Sequence, residues 1–123
     1  MPILEVEFLK RVSPDEPDKA TAQKLADAAG KIFGTGPGRT WVKMKPLSID
    51  HYAENDCQLP DEARPIMVTI LKSKTLDGEE LKQEITRLTE AFAEILDRPT
   101  ENIHLKYEPE GAGRVAFGGK LVE

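Results

Sequence analysis

The sequence predicts an α+β fold in which two consecutive β-α-β units form one four-stranded mixed sheet with two helices on one face. Three observations predict it. The two halves of the 123-residue chain repeat one pattern at an offset of about 62 or 63 residues. Each half begins with a β-rich run that leads into apolar residues at helical spacing. Each helical run is followed by a breaker and a further strand, and strands joined in this way are parallel.

The first unit covers about residues 2–48, and its elements follow from periodicity and chain breakers. Leu25, Ala29 and Ile32 stand at helical spacing, with Ala28 and Phe33 on the same face. Proline is tolerated in the first turn of a helix, and glycine commonly ends one. The predicted elements are a strand at residues 3–10, a helix beginning near Pro17, a glycine-rich stop at residues 34–38, and a strand at residues 40–45 that meets Pro46.

The second unit covers about residues 65–123 of the same single domain, after a polar connector at about residues 49–64. Its helical face carries Leu88, Phe92 and Ile95, together with Ala91 and Leu96. The predicted elements are a strand at residues 65–72, a helix with Asp77 as N-cap, a stop at residues 98–99, a strand at residues 102–107, and a terminal hairpin or edge strand within the glycine-rich residues 111–119.

Alternation along the strands gives the predicted sheet two different faces. Leu4, Val6 and Phe8 alternate with Glu5 and Glu7 in the first strand, and the strands that follow the helices alternate in the same way. The apolar face is expected to pack under the helices. The second face is amphipathic, and it is either solvated or the interior of an oligomer lined by paired charges.

Composition narrows the class of protein. Acidic residues number 22 against 17 basic ones, and this net charge of -5 argues against binding of nucleic acid through phosphates. Apolar runs are too short to span a membrane, and Glu5 and Glu7 interrupt the first one, so we expect neither a membrane segment nor a signal peptide. A single cysteine, Cys57, forms no internal disulfide. We expect a cytoplasmic protein.

Several motifs are better explained by structure than by chemistry. The GTGPG segment follows a helix and leads to a strand, whereas a phosphate-binding loop follows a strand and opens a helix. His51 and His104 lack an accompanying ligand cluster, so no metal site is predicted. Cys57 has no base near it in sequence, which argues against a nucleophilic role.

Pro2 is the strongest candidate for chemistry. It follows Met1, and a small second residue normally permits removal of the initiator methionine. The free proline would then be a secondary amine. Burial in an apolar pocket or nearby cations would lower the pKa of that amine and allow it to act as a general base near neutral pH.

These features together resemble the tautomerase superfamily, whose members include 4-oxalocrotonate tautomerase, malonate semialdehyde decarboxylase and macrophage migration inhibitory factor. The similarity covers nearly the whole chain and is strongest from Pro65 onward, where the segment looks like one complete 4-oxalocrotonate tautomerase subunit. The strand at residues 102–107, followed by residues 113–119, is the most specific part. The resemblance implies a β-α-β fold of the fused two-unit type, a homotrimer, and an amino-terminal proline base without a metal or organic cofactor.

Site residues follow from the same resemblance. Pro2 matches the catalytic proline, whereas Pro65, preceded by Arg64, is internal and has no basic nitrogen. Lys72 and Lys74 match the strand end where relatives hold the substrate carboxylate with arginine. The resemblance further implies a substrate-binding role for His104, for its first-unit counterpart Trp41, and for Val115, which aligns with an apolar residue that keeps the proline pocket dry. We also expect the substrate carboxylate to bind near Lys72, Lys74 or the cation Arg39.

Departures from the family pattern bear on the reaction. Lysine in place of arginine keeps the charge but loses the bidentate geometry, and Val12, beside Arg11, offers no counterpart of Lys74 in the first unit. Gly38 stands where the decarboxylase carries an acidic residue, which weakens the case for activation of water.

The function predicted is a tautomerase that moves a proton in a 2-oxo acid or its enol, with Pro2 as base. Two alternatives remain open. One is a non-catalytic trimeric scaffold or small-ligand-binding protein on the same fold, which would be favoured if Met1 is retained. The other is a hydratase or decarboxylase of the same superfamily.

Overall fold

A computed structural model describes residues 2–10, 19–58 and 65–123. Its elements are β1 (Ile3–Lys10), α1 (Lys19–Phe33), β2 (Trp41–Ser48), β3 (Ile66–Leu71), α2 (Gly78–Leu96), β4 (Ile103–Tyr107), β5 (Ala116–Phe117) and β6 (Lys120–Leu121), with single 3₁₀ turns at Ile49–His51 and Thr100–Asn102. The sheet has the order β2-β1-β3-β4. This confirms the predicted four-stranded mixed sheet with two helices. The predicted start of the first helix near Pro17 lies outside the described residues.

The register of the strands decides which residues meet at each end of the sheet. β1 and β2 are parallel, with Ile3 opposite Trp41. β1 and β3 are antiparallel, with Ile3 opposite Leu71, and β3 and β4 are parallel, with Ile70 opposite Tyr107. One end of the sheet therefore collects the start of β1, the start of β2 and the ends of β3 and β4.

The core lies between one face of the sheet and the two helices, as the alternation predicts. Leu4 and Val6 of β1 are fully buried, as are Leu25 of α1 and both Leu88 and Phe92 of α2. Residues 84, 88, 92 and 96 form a buried stripe on α2 at a spacing of four, and its first member is a glutamate. Within the described residues, no helix combines the length and apolar character that a membrane crossing requires.

Strand β2 is longer than predicted. It continues through Pro46, which lies opposite Phe8 of β1, and ends at Ser48. β2 is the edge strand of the sheet. A proline on an edge strand removes no hydrogen bond from the ladder when its nitrogen faces solvent, so Pro46 does not end the pairing.

The helix ends confirm the predicted breakers. Gly34, at φ +71°, follows the last residue of α1, and the amide of Thr35 donates to the Gly30 carbonyl at 2.9 Å. Asp97 ends α2 in the left-handed region at φ 53°. Asp77 occupies the N-cap of α2 in an extended conformation, but its side chain makes no capping hydrogen bond.

The connector between the two units carries part of the repeat. Glu54 and Cys57 form an isolated antiparallel bridge, and Phe117 and Lys120 form the matching pair of the C-terminal hairpin, 63 positions further along. Asp56, at φ 51°, stands 63 positions before Gly119, at φ 84°. The repeat therefore includes the connector, whose Glu54–Cys57 bridge corresponds to the C-terminal hairpin. The polar composition of the connector makes this part of the repeat hard to detect in the sequence.

Candidate active site

A small pocket opens at the end of the sheet where β1 and β2 begin. It has a volume of about 110 Å³ and is lined by Pro2, Ile3, Gly38, Arg39, Trp41 and Phe117. Pro2 is buried, whereas Arg39 is exposed. The lining is therefore mostly apolar, with one cation on its accessible side.

Parallel pairing of β1 with β2 brings Pro2 and Trp41 together. Trp41 lies opposite Ile3, and its backbone amide donates to the Pro2 carbonyl at 3.0 Å. Gly38 precedes β2 with φ +74°, in the left-handed region that glycine adopts without a steric penalty. The amide of Arg39 donates to the Gly36 carbonyl at 3.1 Å. This turn places Arg39 beside the pocket.

Two aromatic rings form one wall of the pocket. The rings of Trp41 and Phe117 meet edge to face, with centroids 5.1 Å apart and an angle of 81° between their planes. Trp41 Nε1 donates to the Gly38 carbonyl at 2.9 Å, which fixes the indole on the loop that carries Arg39. The Trp41 side of this wall stays accessible, since that residue is 50% exposed.

The C-terminal hairpin that supplies Phe117 is attached to the end of β3. The amide of Gly111 donates to the Lys72 carbonyl at 2.8 Å, and the amide of Ala112 donates to the Ser73 carbonyl at 3.2 Å. Glu110 accepts a hydrogen bond from the Thr75 amide at 2.7 Å. The second unit therefore completes the pocket of the first.

Comparison with known proteins identifies the fold. Neither a protein-family model nor a curated protein sequence matches the chain. Solved structures do: Pt0534 inactivated by 2-oxo-3-pentynoate matches with a TM-score of 0.75 at 15% identity, over 97% of this chain and 94% of that one. Native fused 4-OT matches with a TM-score of 0.72 at 20% identity, over 97% and 94%. The chain has the fused tautomerase fold.

The similarity extends to macrophage migration inhibitory factor. That protein from Oncomelania hupensis matches with a TM-score of 0.73 at 17% identity, over 100% of this chain and 83% of the other. Two further fused 4-OT structures, an asymmetric trimer and a symmetric trimer, match at 18% and 16% identity. At these identities the shared property is the tautomerase fold.

Three of the predicted site residues meet in the pocket of this tautomerase fold. Pro2, Arg39 and Trp41 all line it. Val115 does not, although it belongs to the same segment: its amide donates to the Gly111 carbonyl at 3.1 Å. Phe117, two residues further along, closes the pocket instead. Strand β5 is only two residues long, Ala116–Phe117, so no strand periodicity in the sequence could distinguish Phe117 from Val115.

Lys72 has surroundings that differ from the prediction. Its side chain is 13% exposed, and Nζ lies 2.8 Å from Glu84 Oε1 on α2. Ile70 is buried on the helix face, and the alternation of β3 places Lys72 on that same face. The ammonium is thus directed to a buried carboxylate, not to a ligand in the pocket. Lys74, beyond β3, is exposed and does not line the pocket.

Within one subunit, His104 is far in space from the pocket. It is opposite Met67 of β3, which is opposite Glu7 of β1, four positions from Ile3. At about 3.3 Å per residue, this separation is about 13 Å. His104 is exposed on the face of the sheet opposite the helices, so a role in a site requires a neighbouring molecule.

That open face carries paired charges next to the pocket. Glu5 lies 3.0 Å from Lys43 Nζ and 3.8 Å from Lys45 Nζ. The hydrogen bond from Lys43 lowers the pKa of Glu5. Among the described residues, no three His, Cys, Asp or Glu side chains form a group that could hold a metal ion. Arg11, Val12 and Arg64 lie outside the described residues.

Proposed function

We propose that the protein is a cofactor-independent tautomerase that moves a proton in a 2-oxo acid or its enol, with Pro2 as the general base. The observation that carries this proposal is the burial of Pro2 in an apolar pocket beside the cation Arg39. Burial and a neighbouring cation both disfavour the protonated form of an amine and lower its pKa towards neutrality. A neighbour of the same fold, Pt0534, is inactivated by a 2-oxo acid, which supports this class of substrate.

The proposed reaction needs one base and one cation. The substrate carboxylate binds Arg39, which can offer it two parallel hydrogen bonds. Neutral Pro2 takes the proton of the enol hydroxyl, and the electron pair of the broken O–H bond forms the carbonyl while the carbon–carbon double bond shifts its electrons to C3. The protonated amine then delivers its proton to C3. One O–H bond is lost and one C–H bond is formed, and Pro2 returns to its neutral state.

Proton transfer fits the pocket better than hydration does. Activation of water would call for a carboxylate beside the proline, and none of the described residues that line the pocket carries one. Trp41 and Phe117 add an apolar wall against which a planar, conjugated enol can pack. A hydratase or decarboxylase is therefore the less favoured member of the superfamily.

The first test is an assay with the enol of phenylpyruvate, a 2-oxo acid. Protein whose intact mass shows Pro2 at the amino terminus is expected to accelerate its ketonisation, followed by ultraviolet absorbance. Arg39→Met should raise KM by about tenfold or more, because a charge-assisted hydrogen bond contributes about 1.5–3 kcal/mol.

The matched control for that test is Lys31→Met, which removes an exposed cation from the last turn of α1. This variant should leave KM unchanged. An absence of acceleration by the proline-terminated protein would contradict the tautomerase proposal and would favour a non-catalytic ligand-binding role.

We also propose that the protein is a homotrimer whose subunits meet through the open sheet face. The Glu5–Lys43 ion pair and the exposed Met67 lie on that face, and two fused 4-OT neighbours are trimers. Sedimentation equilibrium should give three times the 13.7 kDa mass of the chain. Lys43→Glu places two like charges at the pair and should dissociate the trimer.

Lys24→Glu is the matched control for the assembly, because Lys24 is exposed on α1, on the other side of the molecule. It should leave the mass unchanged. A wild-type mass of one chain, or equal behaviour of the two variants, would refute this arrangement.

A further inference from the structure

A polar chain crosses the buried side of the sheet at the end where Pro2 lies. Lys72 Nζ is 2.8 Å from Glu84 Oε1, and the Tyr107 hydroxyl donates to Glu84 Oε2 at 2.7 Å. On the other side, Lys72 Nζ lies 4.9 Å from the centroid of the Phe33 ring. The Lys72 and Glu84 side chains are 13% and 6% exposed, so water screens this ion pair weakly. The pocket does not include it.

The register places this ion pair beside Pro2. Leu71 and Ile3 form the last pair of the antiparallel β1–β3 pairing, so the same register continued by one residue sets Lys72 opposite Pro2. Residues opposite each other in such a pairing have Cα atoms about 4.5–5.5 Å apart. Lys72 is therefore the charged residue that the fold brings next to the backbone of Pro2 on the β3 side.

The two charges lie in a definite order across the sheet. α1 packs against β2, and its Phe33 receives the Lys72 ammonium. α2 packs against β4, whose Tyr107 binds Glu84. In the strand order β2-β1-β3-β4, the positive end of the pair is directed towards β1 and the negative end towards β4. Pro2 therefore faces the positive end.

We infer that Lys72, held by Glu84, keeps the Pro2 amine unprotonated near neutral pH, that Glu84 sets the size of this effect, and that neither residue is a ligand of the substrate. The inference rests on the proposed function, because it requires that Pro2 has a free amine. A nearby cation disfavours a second positive charge on the amine, and the low effective dielectric of a buried site strengthens that effect. Glu84 compensates the charge of Lys72 and thereby limits the effect.

Tyr107 keeps Glu84 in place. Burial raises the pKa of Tyr107, and the hydrogen bond to Glu84 raises it further, so the phenol remains a donor at physiological pH. Among the described residues, the charged and titratable groups around this end of the sheet include Arg39 before β2, Glu5 of β1 with Lys43 and Lys45 of β2, Lys72 and Lys74 at and beyond the end of β3, Glu84 of α2, and Lys106, Tyr107 and Glu108 at the end of β4. Glu110 lies where the hairpin begins, and Phe33 of α1 and Phe117 of the hairpin add uncharged rings.

The experiment is a ¹⁵N NMR titration of the proline-labelled protein, paired with the pH profile of kcat/KM. Among the nine prolines, a free amine at Pro2 is the nitrogen that titrates. Lys72→Met should raise the pKa of the amine by about one pH unit, because Glu84 remains without its cation. Glu84→Gln should lower that pKa by a similar amount, because Lys72 remains without its anion.

Lys82→Met is the matched control, because Lys82 pairs with Glu79 on the exposed side of α2. It should leave the pKa of Pro2 unchanged. Should Lys72→Met fail to fold, Glu84→Gln decides by itself: it keeps the shape of the side chain, its carbonyl oxygen can still accept from Lys72 Nζ, and its amide group can donate to the Tyr107 hydroxyl oxygen in place of the bond that Glu84 accepted.

The outcomes separate this inference from the proposed function. An unaltered pKa in Glu84→Gln, or shifts of the same sign in both variants, would overturn the inference while the titrating amine and the tautomerase proposal stand. A wild-type protein in which no proline nitrogen titrates would overturn both.

Discussion

A protein that carries a Gly-Ser dipeptide in place of Met1, ahead of Pro2, is expected to lose its enol–keto conversion by a factor of about 10² to 10⁴. The dipeptide turns the proline nitrogen into an amide, which has no basic lone pair. Arg39 and the aromatic wall stay in place, so the substrate should still bind. The measurement is kcat and KM on phenylenolpyruvate at pH 7, with the terminus of each sample verified by intact mass.

Two companion proteins make this result specific. The same dipeptide added after Glu123 changes the mass equally and should leave kcat unchanged. Pro2→Ala keeps a terminal amine, but a primary one, and should lower conversion at least tenfold. If the Gly-Ser protein were as active as the wild type, Pro2 would not be the base, and proton transfer would have to be assigned to another group.

Phe92→Ala should lower the free energy of unfolding by about 3–5 kcal/mol. Phe92 is fully buried on α2 and belongs to the cluster that joins both helices to the sheet. Removal of its ring loses apolar burial and leaves a cavity in a close-packed interior. Urea unfolding followed by circular dichroism would measure the change, at one protein concentration so that any assembly contributes equally.

Glu94→Ala is the control for Phe92→Ala. Glu94 is exposed on the same helix, and substitutions at such positions usually change stability by less than about 0.5 kcal/mol. A loss below about 1 kcal/mol for Phe92→Ala would contradict the packing described for α2. A large loss for both variants would indicate that the helix, and not the buried ring, is the sensitive feature.

Most of the pocket could be predicted from local sequence patterns. Gly38, Arg39 and Trp41 are close in sequence, so their common position at the start of β2 follows from one strand and one turn. Pro2 joins them because parallel pairing aligns the starts of β1 and β2. A β-α-β unit predicts that alignment. Phe117 comes from the other unit, and the choice between it and Val115 depends on how the hairpin crosses the sheet end.

Lys72 illustrates the opposite case. Its type and its place at a strand end suggested a carboxylate-binding cation. The alternation of β3 was enough to assign Lys72 to the helix face with Ile70. Likewise, the four-residue stripe of Leu88, Phe92 and Leu96 was enough to extend the buried face of α2 back to Glu84. Their pairing with each other required the positions of both elements in space.

Local sequence patterns thus predict how many strands and helices there are, their order along the chain and which of their faces are buried. They also predict the two-unit repeat and the candidate base. This is possible because periodicity and chain breakers act over a few neighbouring positions. Which side chains share a site was decided by the folded chain. The contacts of Trp41 with Phe117 and of Lys72 with Glu84 and Tyr107 join elements whose relative positions depend on strand register and helix packing. Those are set by burial of the whole core at once, so no local segment contains them.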